Sequence, residues 1–141
     1  MRNAHNEYQS NHVETADPKQ LIIMLYDGAL RFLDKALRTI EDYKQYDEAN
    51  RNILRAQDII TELMVSLDMD RGGEIANNLM SLYSFMKKEL LEANVNKEKK
   101  GVRQVMKMLT ELKEAWEQME ATPRVPAQSS PSKSAGFVAQ G

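Results

Sequence analysis

Residues 49–67 read ANRNILRAQDIITELMVSL, with an apolar side chain at almost every third or fourth position. Positions three and four apart lie on one face of an α-helix, so this spacing indicates a helix that must bury one side. The apolar stripe consists of Ala49, Ile53, Ala56, Ile60, Leu63 and Leu67. The stretch therefore predicts a helix packed against other helices.

Two later stretches repeat the pattern, and an earlier one has a wider apolar face that allows more than one neighbour. The later stripes are Ile75, Leu79, Leu82, Met86, Leu90 and Ala93, and then Val102, Val105, Leu109, Leu112, Trp116 and Met119. The predicted helices span about 17–43, 47–69, 74–94 and 97–120. Short connections favour antiparallel neighbours. We therefore predict an all-α fold, an antiparallel up-down-up-down four-helix bundle over residues 17–121.

The segments outside the bundle differ in composition from it. Residues 1–16 form a polar N-terminal arm with isolated Tyr8 and Val13, while residues 122–141 are rich in proline and serine and predict a disordered tail. Between arm and bundle, Asp17 and Pro18 predict a helix start, with Gln20 completing a capping box. At the other end of the second helix, the Gly72-Gly73 pair predicts a tight reversal.

Length and composition exclude several classes of protein. The chain has 141 residues, no cysteine and a formal charge of −2, and leaving out the tail, which holds Arg124 and Lys133 but no acid, lowers that charge to −4. An acidic body is poorly suited to nucleic acid. No apolar run is long enough for a signal peptide or a membrane span, so we expect neither export by a classical signal nor membrane insertion.

No residue pattern indicates catalysis, a metal site or a cofactor. The two histidines, His5 and His12, both lie in the arm, no serine shares a helical face with a histidine, and Gly72-Gly73 lacks the phosphate-loop pattern. We therefore expect a protein that is not an enzyme. A basic cluster at Lys97, Lys99, Lys100, Arg103 and Lys107 is either a solvated helix start or an anion site, and the first is simpler.

The helices have more apolar residues than the four core-facing stripes require. The additional residues include a second row on the first helix, and Met80 and Tyr83 on the third. They either widen the core or bind an apolar partner, for which nine methionines are well suited. Gly28 indicates a close approach in mid-helix, by another helix or by a ligand. Trp116 is expected to pack in the core, where its indole needs a polar neighbour.

Several segments occur in a fixed order along the chain. They are Asn6-x-Tyr8, VETADP at 13–18, LYDGA at 25–29, RAQDII at 55–60, SLD at 66–68, GGEIA at 72–76, Leu82-Tyr83, Ala93-Asn94 and EAW at 114–116. Together they resemble the FliS family of flagellar export chaperones. The resemblance covers residues 6–119. Asp17 departs from it by standing where a serine is common, and both residues cap helices. The tail falls outside the shared pattern.

The resemblance implies a four-helix bundle in the cytoplasm that binds the disordered C-terminal region of flagellin in apolar grooves, prevents premature polymerisation and docks to a component of the flagellar export gate. On that basis we expect partner binding through Ile22, Leu25, Tyr26, Met80 and Tyr83, with Tyr8 and Val13 as a displaceable cover. The alternative hypothesis is a self-associating helical structural or adaptor protein. Whether the free chain forms a homodimer stays open.

Overall fold

The computed structural model describes residues 17–121, with side chains described as far as Met119, and within that range it contains four α-helices and no strand. The helices are α1, Pro18–Thr39; α2, Tyr46–Val65; α3, Met69–Asn96; and α4, Lys99–Ala121. A short 3₁₀ turn, Tyr43–Gln45, precedes α2. The prediction of an all-helical chain with four helices is confirmed for these residues. The predicted arm and tail lie outside them.

The start of α1 follows the sequence prediction. The Asp17 carboxylate accepts a hydrogen bond from the Gln20 backbone amide at 2.8 Å, and Pro18 is in the first turn. The helix ends at Thr39, four residues before the predicted end. Beyond it, the Asp42 side chain accepts hydrogen bonds from the Lys44 backbone amide at 3.0 Å and from the Gln45 side chain at 2.8 Å. These local bonds stabilise the 3₁₀ turn in place of further α-helix.

The break predicted at Gly72-Gly73 is present, with the expected positive φ at Gly73, but the preceding helix ends earlier than predicted and one helical turn lies between the two. Helix α2 ends at Val65, and the Asp68 carboxylate accepts a hydrogen bond from the Arg71 backbone amide at 3.0 Å, which caps α3. Gly73 interrupts α3 with φ 56° and ψ −131°, a conformation that suits glycine alone. The first turn of α3 is therefore separated from the rest of the helix.

The four helices pack around one apolar core. Helix α1 contacts α2 and α4, and α3 contacts the same two helices. The largest fully buried side chains are Tyr26, Tyr83, Leu33, Ile40, Ile53, Ile60, Leu63, Met86, Leu90, Leu109, Val102 and Val105. A Cβ atom on Gly28 would lie 3.2 Å from Cδ1 of Ile59, so the close approach at this glycine is that of α2.

Polar contacts tie the neighbouring helices together at several levels. Between α1 and α4, Asp27 pairs with Lys113 at 2.6 Å, and Glu41, just after α1, lies 3.9 Å from Lys99. Between α2 and α3, Asn94 donates to the Asn50 side chain at 2.7 Å. These contacts fix which faces of the helices meet and leave the remaining faces open to solvent.

Candidate interaction surfaces

Two buried tyrosines and the half-buried Trp116 form a polar cluster at the apolar core. The hydroxyl groups of Tyr26 on α1 and Tyr83 on α3 lie 2.7 Å apart in a hydrogen bond, and the Trp116 side chain on α4 also hydrogen-bonds Tyr26. Tyr26 is 0% and Tyr83 2% exposed. A buried hydroxyl without a partner is costly, so these bonds make burial of the two phenols tolerable. The polar neighbour expected for Trp116 is therefore Tyr26.

Both phenols stay neutral over the ordinary pH range. Burial raises the pKa of Tyr26, which its hydrogen bonds with Tyr83 and Trp116 partly oppose. Burial also raises the pKa of Tyr83, and the neighbouring Tyr26 raises it further. The nearby Asp27 carboxylate accepts a hydrogen bond from Lys113 and thereby raises the pKa of that ammonium group. The cluster has a structural arrangement and offers no group poised for proton transfer at neutral pH.

The residues expected to bind a partner are divided by their burial. Leu25, Tyr26 and Tyr83 are buried, so none of them is presented on the surface of this structure. Ile22 and Met80 are half-buried. Tyr8 and Val13 lie outside the described residues. The structure thus brings Tyr26 and Tyr83 together beneath the surface, and their contact with a partner stays a prediction.

The exposed large apolar side chains of the described residues lie elsewhere, mostly on α3. They are Tyr43, Leu54, Val65, Met69, Leu82, Phe85, Leu91 and Val95, and none of them belongs to α1 or α4. The sequence prediction placed Leu82 in the core and Tyr83 in a spare row, and the structure reverses the two. The true stripe of α3 runs through Ala76, Leu79, Tyr83, Met86, Leu90 and Ala93. That stripe keeps a strict alternation of three and four residues, which the predicted one does not.

One apolar surface follows the line where α2 meets α3. The Gln57 side chain donates to the Lys87 carbonyl at 3.1 Å, and the Lys87 ammonium donates to the Thr61 hydroxyl at 2.7 Å. Helical spacing places Leu54 between Asn50 and Gln57, and Leu91 between Lys87 and Asn94. Leu54 is 47% and Leu91 56% exposed. We call Leu54, Leu91 and the neighbouring Val95 the outer seam, an apolar strip between polar bridges.

A second surface is the depression between α3 and α4. These helices approach closely near Gly101, where an added Cβ atom would lie 3.1 Å from the Glu89 carbonyl oxygen and 3.2 Å from Cβ of Ala93. Farther along α4 they leave a depression of about 160 Å³. Its lining residues are Leu82, Met108, Glu111 and Leu112, which we call the α3–α4 groove. Three of its four side chains are apolar.

The described residues form neither a metal site nor a membrane-spanning helix. Within residues 17–121, no three His, Cys, Asp or Glu side chains are grouped so that they could hold a metal ion. None of the helices in this range combines the length and the apolar character that crossing a bilayer requires.

Comparison with known proteins agrees with the resemblance seen in the sequence. Residues 1–123 match the family described as Flagellar protein FliS. The flagellar secretion chaperone FliS of Bacillus subtilis is 33% identical over 118 residues, 84% of this chain and 86% of that protein. Its counterpart in Salmonella typhimurium is 39% identical over 110 residues, 76% of this chain and 79% of that protein. FliSB of Pseudomonas aeruginosa is 36% identical over 118 residues, 81% of this chain and 93% of that protein. The chain belongs to the FliS family of flagellar secretion chaperones.

Proposed function

We propose that the chain is a cytoplasmic chaperone of flagellar export that binds the disordered C-terminal region of flagellin, keeps it from polymerising prematurely and supports its delivery to the export apparatus. The observation that carries the proposal is the FliS match over residues 1–123, together with relatives named flagellar secretion chaperones. Such a protein acts by binding and release and needs no catalytic group or cofactor. Its second partner is a component of the export gate.

The architecture that we propose is the antiparallel up-down-up-down bundle. Contacts between neighbouring helices support it, because an early residue of one helix meets a late residue of the next. Asp27 of α1 and Glu41, just beyond the end of α1, pair with Lys113 and Lys99 of α4, in that order. On α2 and α3, Asn50 meets Asn94 while Thr61 meets Lys87. A bundle of this kind presents the full length of its grooves to an extended client.

The outer seam is the surface that we assign to the flagellin segment. An amphipathic segment that folds on binding needs an apolar strip with polar groups along its edges, which is the arrangement around Leu54 and Leu91. The strip lies open to solvent at 47% and 56% exposure, respectively. Binding of the flagellin segment would remove these apolar side chains from water, which contributes favourable hydrophobic free energy to the complex. The polar bridges beside it would fix the register of the bound segment.

The residues that the sequence analysis expects to bind a partner are also part of this proposal. Half-buried Ile22 and Met80 are candidate contacts, and Leu25, Tyr26 and Tyr83 support them from the core. Tyr8 and Val13 are proposed to form a displaceable cover. A client that displaces such a cover gains apolar contact at the moment of binding, so the two events compete for the same surface.

The first test is calorimetric titration of the full chain with full-length flagellin and with flagellin lacking its C-terminal segment, at equal concentrations. We expect one-to-one binding that is lost on truncation. Leu91→Asp should weaken binding by about 1 to 3 kcal/mol, because the interface would then desolvate a charge. Thr110→Asp, which adds the same charge at an exposed position of α4, is the matched control and should bind as the unaltered chain does.

The outcomes separate the proposal from its alternative. Absence of binding to either flagellin would overturn the chaperone proposal and favour the self-associating adaptor. If binding is lost on truncation of flagellin but Leu91→Asp binds as strongly as Thr110→Asp, flagellin would remain the client. The outer seam would then not be its binding surface. Circular dichroism of both variants checks that each remains helical, so that a loss of binding reports the surface and not the fold.

A further inference from the structure

The α3–α4 groove has about the size of one aromatic ring. Its volume of about 160 Å³ is similar to that of apolar cavities of about 150 Å³ that bind benzene. Leu82, one of its lining residues, is 37% exposed, and Phe85, one turn farther along the same side of α3, is 39% exposed. Residues 17–121 thus leave this apolar lining partly open to solvent. The groove fits a single aromatic side chain.

The tail that follows α4, residues 122–141, contains one segment that matches this groove. Residues 135–139 read AGFVA, and Phe137 is the only aromatic residue of the sequence after Trp116. The preceding part of the tail is rich in proline and serine, a composition that predicts a disordered linker. Short apolar segments in such linkers are able to become ordered when they bind a surface. Phe137 and Val138 are therefore the part of the tail that an apolar groove would bind.

The length of the linker suits the distance to the groove. A helix rises about 1.5 Å per residue, which places Leu112 and Met108 about 14 and 20 Å back along α4 from Ala121. Phe137 is sixteen residues beyond Ala121, and a flexible chain of that length has an average end-to-end distance of about 20 to 24 Å. A tethered segment has its highest effective concentration, in the millimolar range, when these two lengths agree. Weak intrinsic affinity is therefore enough for the segment to occupy the groove.

The charges of the tail and of the last part of α4 are opposite. The tail holds two basic residues, Arg124 and Lys133, and no acidic one, whereas residues 109–121 hold four glutamates and one lysine. Glu111 lines the groove, is exposed and forms no ion pair with another described residue. A tail that runs back along α4 brings Lys133 over this acidic end before Phe137 reaches the groove. The attraction is modest because the charges are near solvent, but it favours this path for the tail.

We propose that the tail folds back along α4 and that Phe137 and Val138 occupy the α3–α4 groove of the same chain as an intramolecular cover. The inference goes beyond the chaperone function, because flagellin is assigned to the outer seam, on the opposite exposed side of α3. The cover removes Leu82 and its neighbours from water. One aromatic side chain and a few screened charges hold it, so another helix that binds the groove displaces it.

A spin label in the tail measures its position. Because the chain has no cysteine, Ser134→Cys provides a single attachment point three residues before Phe137. In the full chain with isotopically labelled methionine methyl groups, the paramagnetic relaxation rate of the Met108 methyl signal reports how often the tail is at the groove. Phe137→Ser keeps the label and the tether and should lower this rate at least threefold. Val125→Ser, the matched control in the same tail, should leave it unchanged.

Equal rates with Phe137 and with Ser at this position would overturn the proposal, because a tail that does not bind would pass Met108 equally often in both chains. The same result would follow if Val125→Ser lowered the rate as much as Phe137→Ser does, since no specific segment would then be recognised.

Variants of the groove test the other side of the contact. Leu82→Asp, with the label in the unaltered tail, should lower the Met108 rate at least threefold, because binding of Phe137 would desolvate the new carboxylate. Ser84→Asp places the same charge on the opposite exposed side of α3 and should leave the rate unchanged. Both positions are exposed, and circular dichroism checks that each variant remains helical. Equal rates for the two variants would show that the tail does not use the groove.

A mixture of two protein samples distinguishes this cover from contact between copies. Spin-labelled chain without isotopes is mixed with isotopically labelled chain that bears no spin label. We expect no broadening of the Met108 signal, since each groove is occupied by its own tail. Broadening as strong as in the singly prepared sample would place the tail of a second copy in the groove and overturn the intramolecular contact. None of these outcomes alters the calorimetric test of flagellin binding, so the two proposals fail separately.

Discussion

Helices α1 and α3 differ in how they use apolar side chains. Helix α1 is capped by Asp17, is continuous from Pro18 to Thr39, and has no large apolar side chain that is exposed. Helix α3 is interrupted at Gly73 and exposes five, namely Met69, Leu82, Phe85, Leu91 and Val95. Burial thus accounts for the apolar residues of α1, whereas α3 exposes more apolar surface than the core can bury. The first arrangement is typical of a scaffold and the second of a helix that also meets other molecules.

The tyrosine pair joins these two helices. At this pair the two helices do not differ in how they use their side chains. At this level both contribute a fully buried residue, Tyr26 or Tyr83, to one hydrogen bond. The exposed apolar surface of α3 therefore belongs to its outer faces and not to its inner stripe. Substitutions on the two sides of α3 should have opposite consequences for stability and binding.

The largest effect is expected from placing a charge on the inner side of α3. Tyr83→Asp should lower the free energy of unfolding by more than about 4 kcal/mol, because it buries a carboxylate and leaves Tyr26 without this partner. Leu91→Asp, on the outer side of the same helix, should change it by less than about 1 kcal/mol. Urea denaturation followed by circular dichroism measures both. Equal losses would contradict the division between inner and outer faces.

The next effect concerns the glycines of the two helices. Gly73→Ala should cost about 1 to 3 kcal/mol, because alanine would have to adopt a positive φ in a region that L-residues avoid. Gly28→Ala should be nearly neutral, since the gain in helix propensity offsets a contact with the flexible end of Ile59. Thermal and urea unfolding of the two variants provide the comparison. A stable Gly73→Ala variant would show that α3 can straighten at this position.

Alkaline pH tests the burial of the tyrosine pair. The folded chain holds Tyr83 protonated, while the unfolded chain releases that proton above its ordinary pKa of 10.0. Because the folded pKa is raised, stability is constant below about pH 10 and falls above it, by about 1.4 kcal/mol per buried phenol at pH 11. Urea titrations at pH 9 and pH 11 should show that Tyr83→Phe loses less stability over this interval than the unaltered chain. An equal loss would mean that the phenol is ionised in the folded state.

The smallest effect compares the two helix caps. Asp17→Ala should cost about 1 kcal/mol, since it removes the bond to the Gln20 amide at the start of a continuous helix. Asp68→Ala should cost less, because its bond to the Arg71 amide stabilises a single turn that Gly73 separates from the rest of α3. Both are measured by urea denaturation. A greater cost for Asp68→Ala would show that the first turn of α3 is coupled to the core.

The helical spacing and the capping residues allow much of the fold to be predicted. The stripe from Ala49 to Leu63 is buried as predicted, and Asp17 caps the first helix. Both are local properties, since they depend on residues within one or two turns. Two turn signals lie close together after α2: the Asp68 cap begins the first turn of α3, and Gly73 breaks the helix with a positive φ as predicted. The sequence located the second signal and missed the earlier end of α2 at Val65.

The candidate surfaces were harder to predict from sequence. Leu82 and Tyr83 are adjacent apolar residues, and a one-residue shift of the stripe exchanges their burial. A hydroxyl in the core is unfavourable without a hydrogen-bond partner, and the partner of Tyr83, which is Tyr26, is distant in sequence. A stricter test of the three-four alternation along α3 would have selected Tyr83. Which faces remain open, such as that of Leu54, depends on helix packing and is not encoded locally.

The position of Trp116 makes its intrinsic fluorescence a probe of helix packing in this chain. It is the single tryptophan of the sequence, and its side chain hydrogen-bonds Tyr26 in the cluster that joins α1, α3 and α4. Indole emission shifts in wavelength when the ring becomes hydrated, and tyrosine nearby transfers excitation to it. Unlabelled protein excited in the near ultraviolet would therefore signal, in real time, whether three helices are still joined at this point.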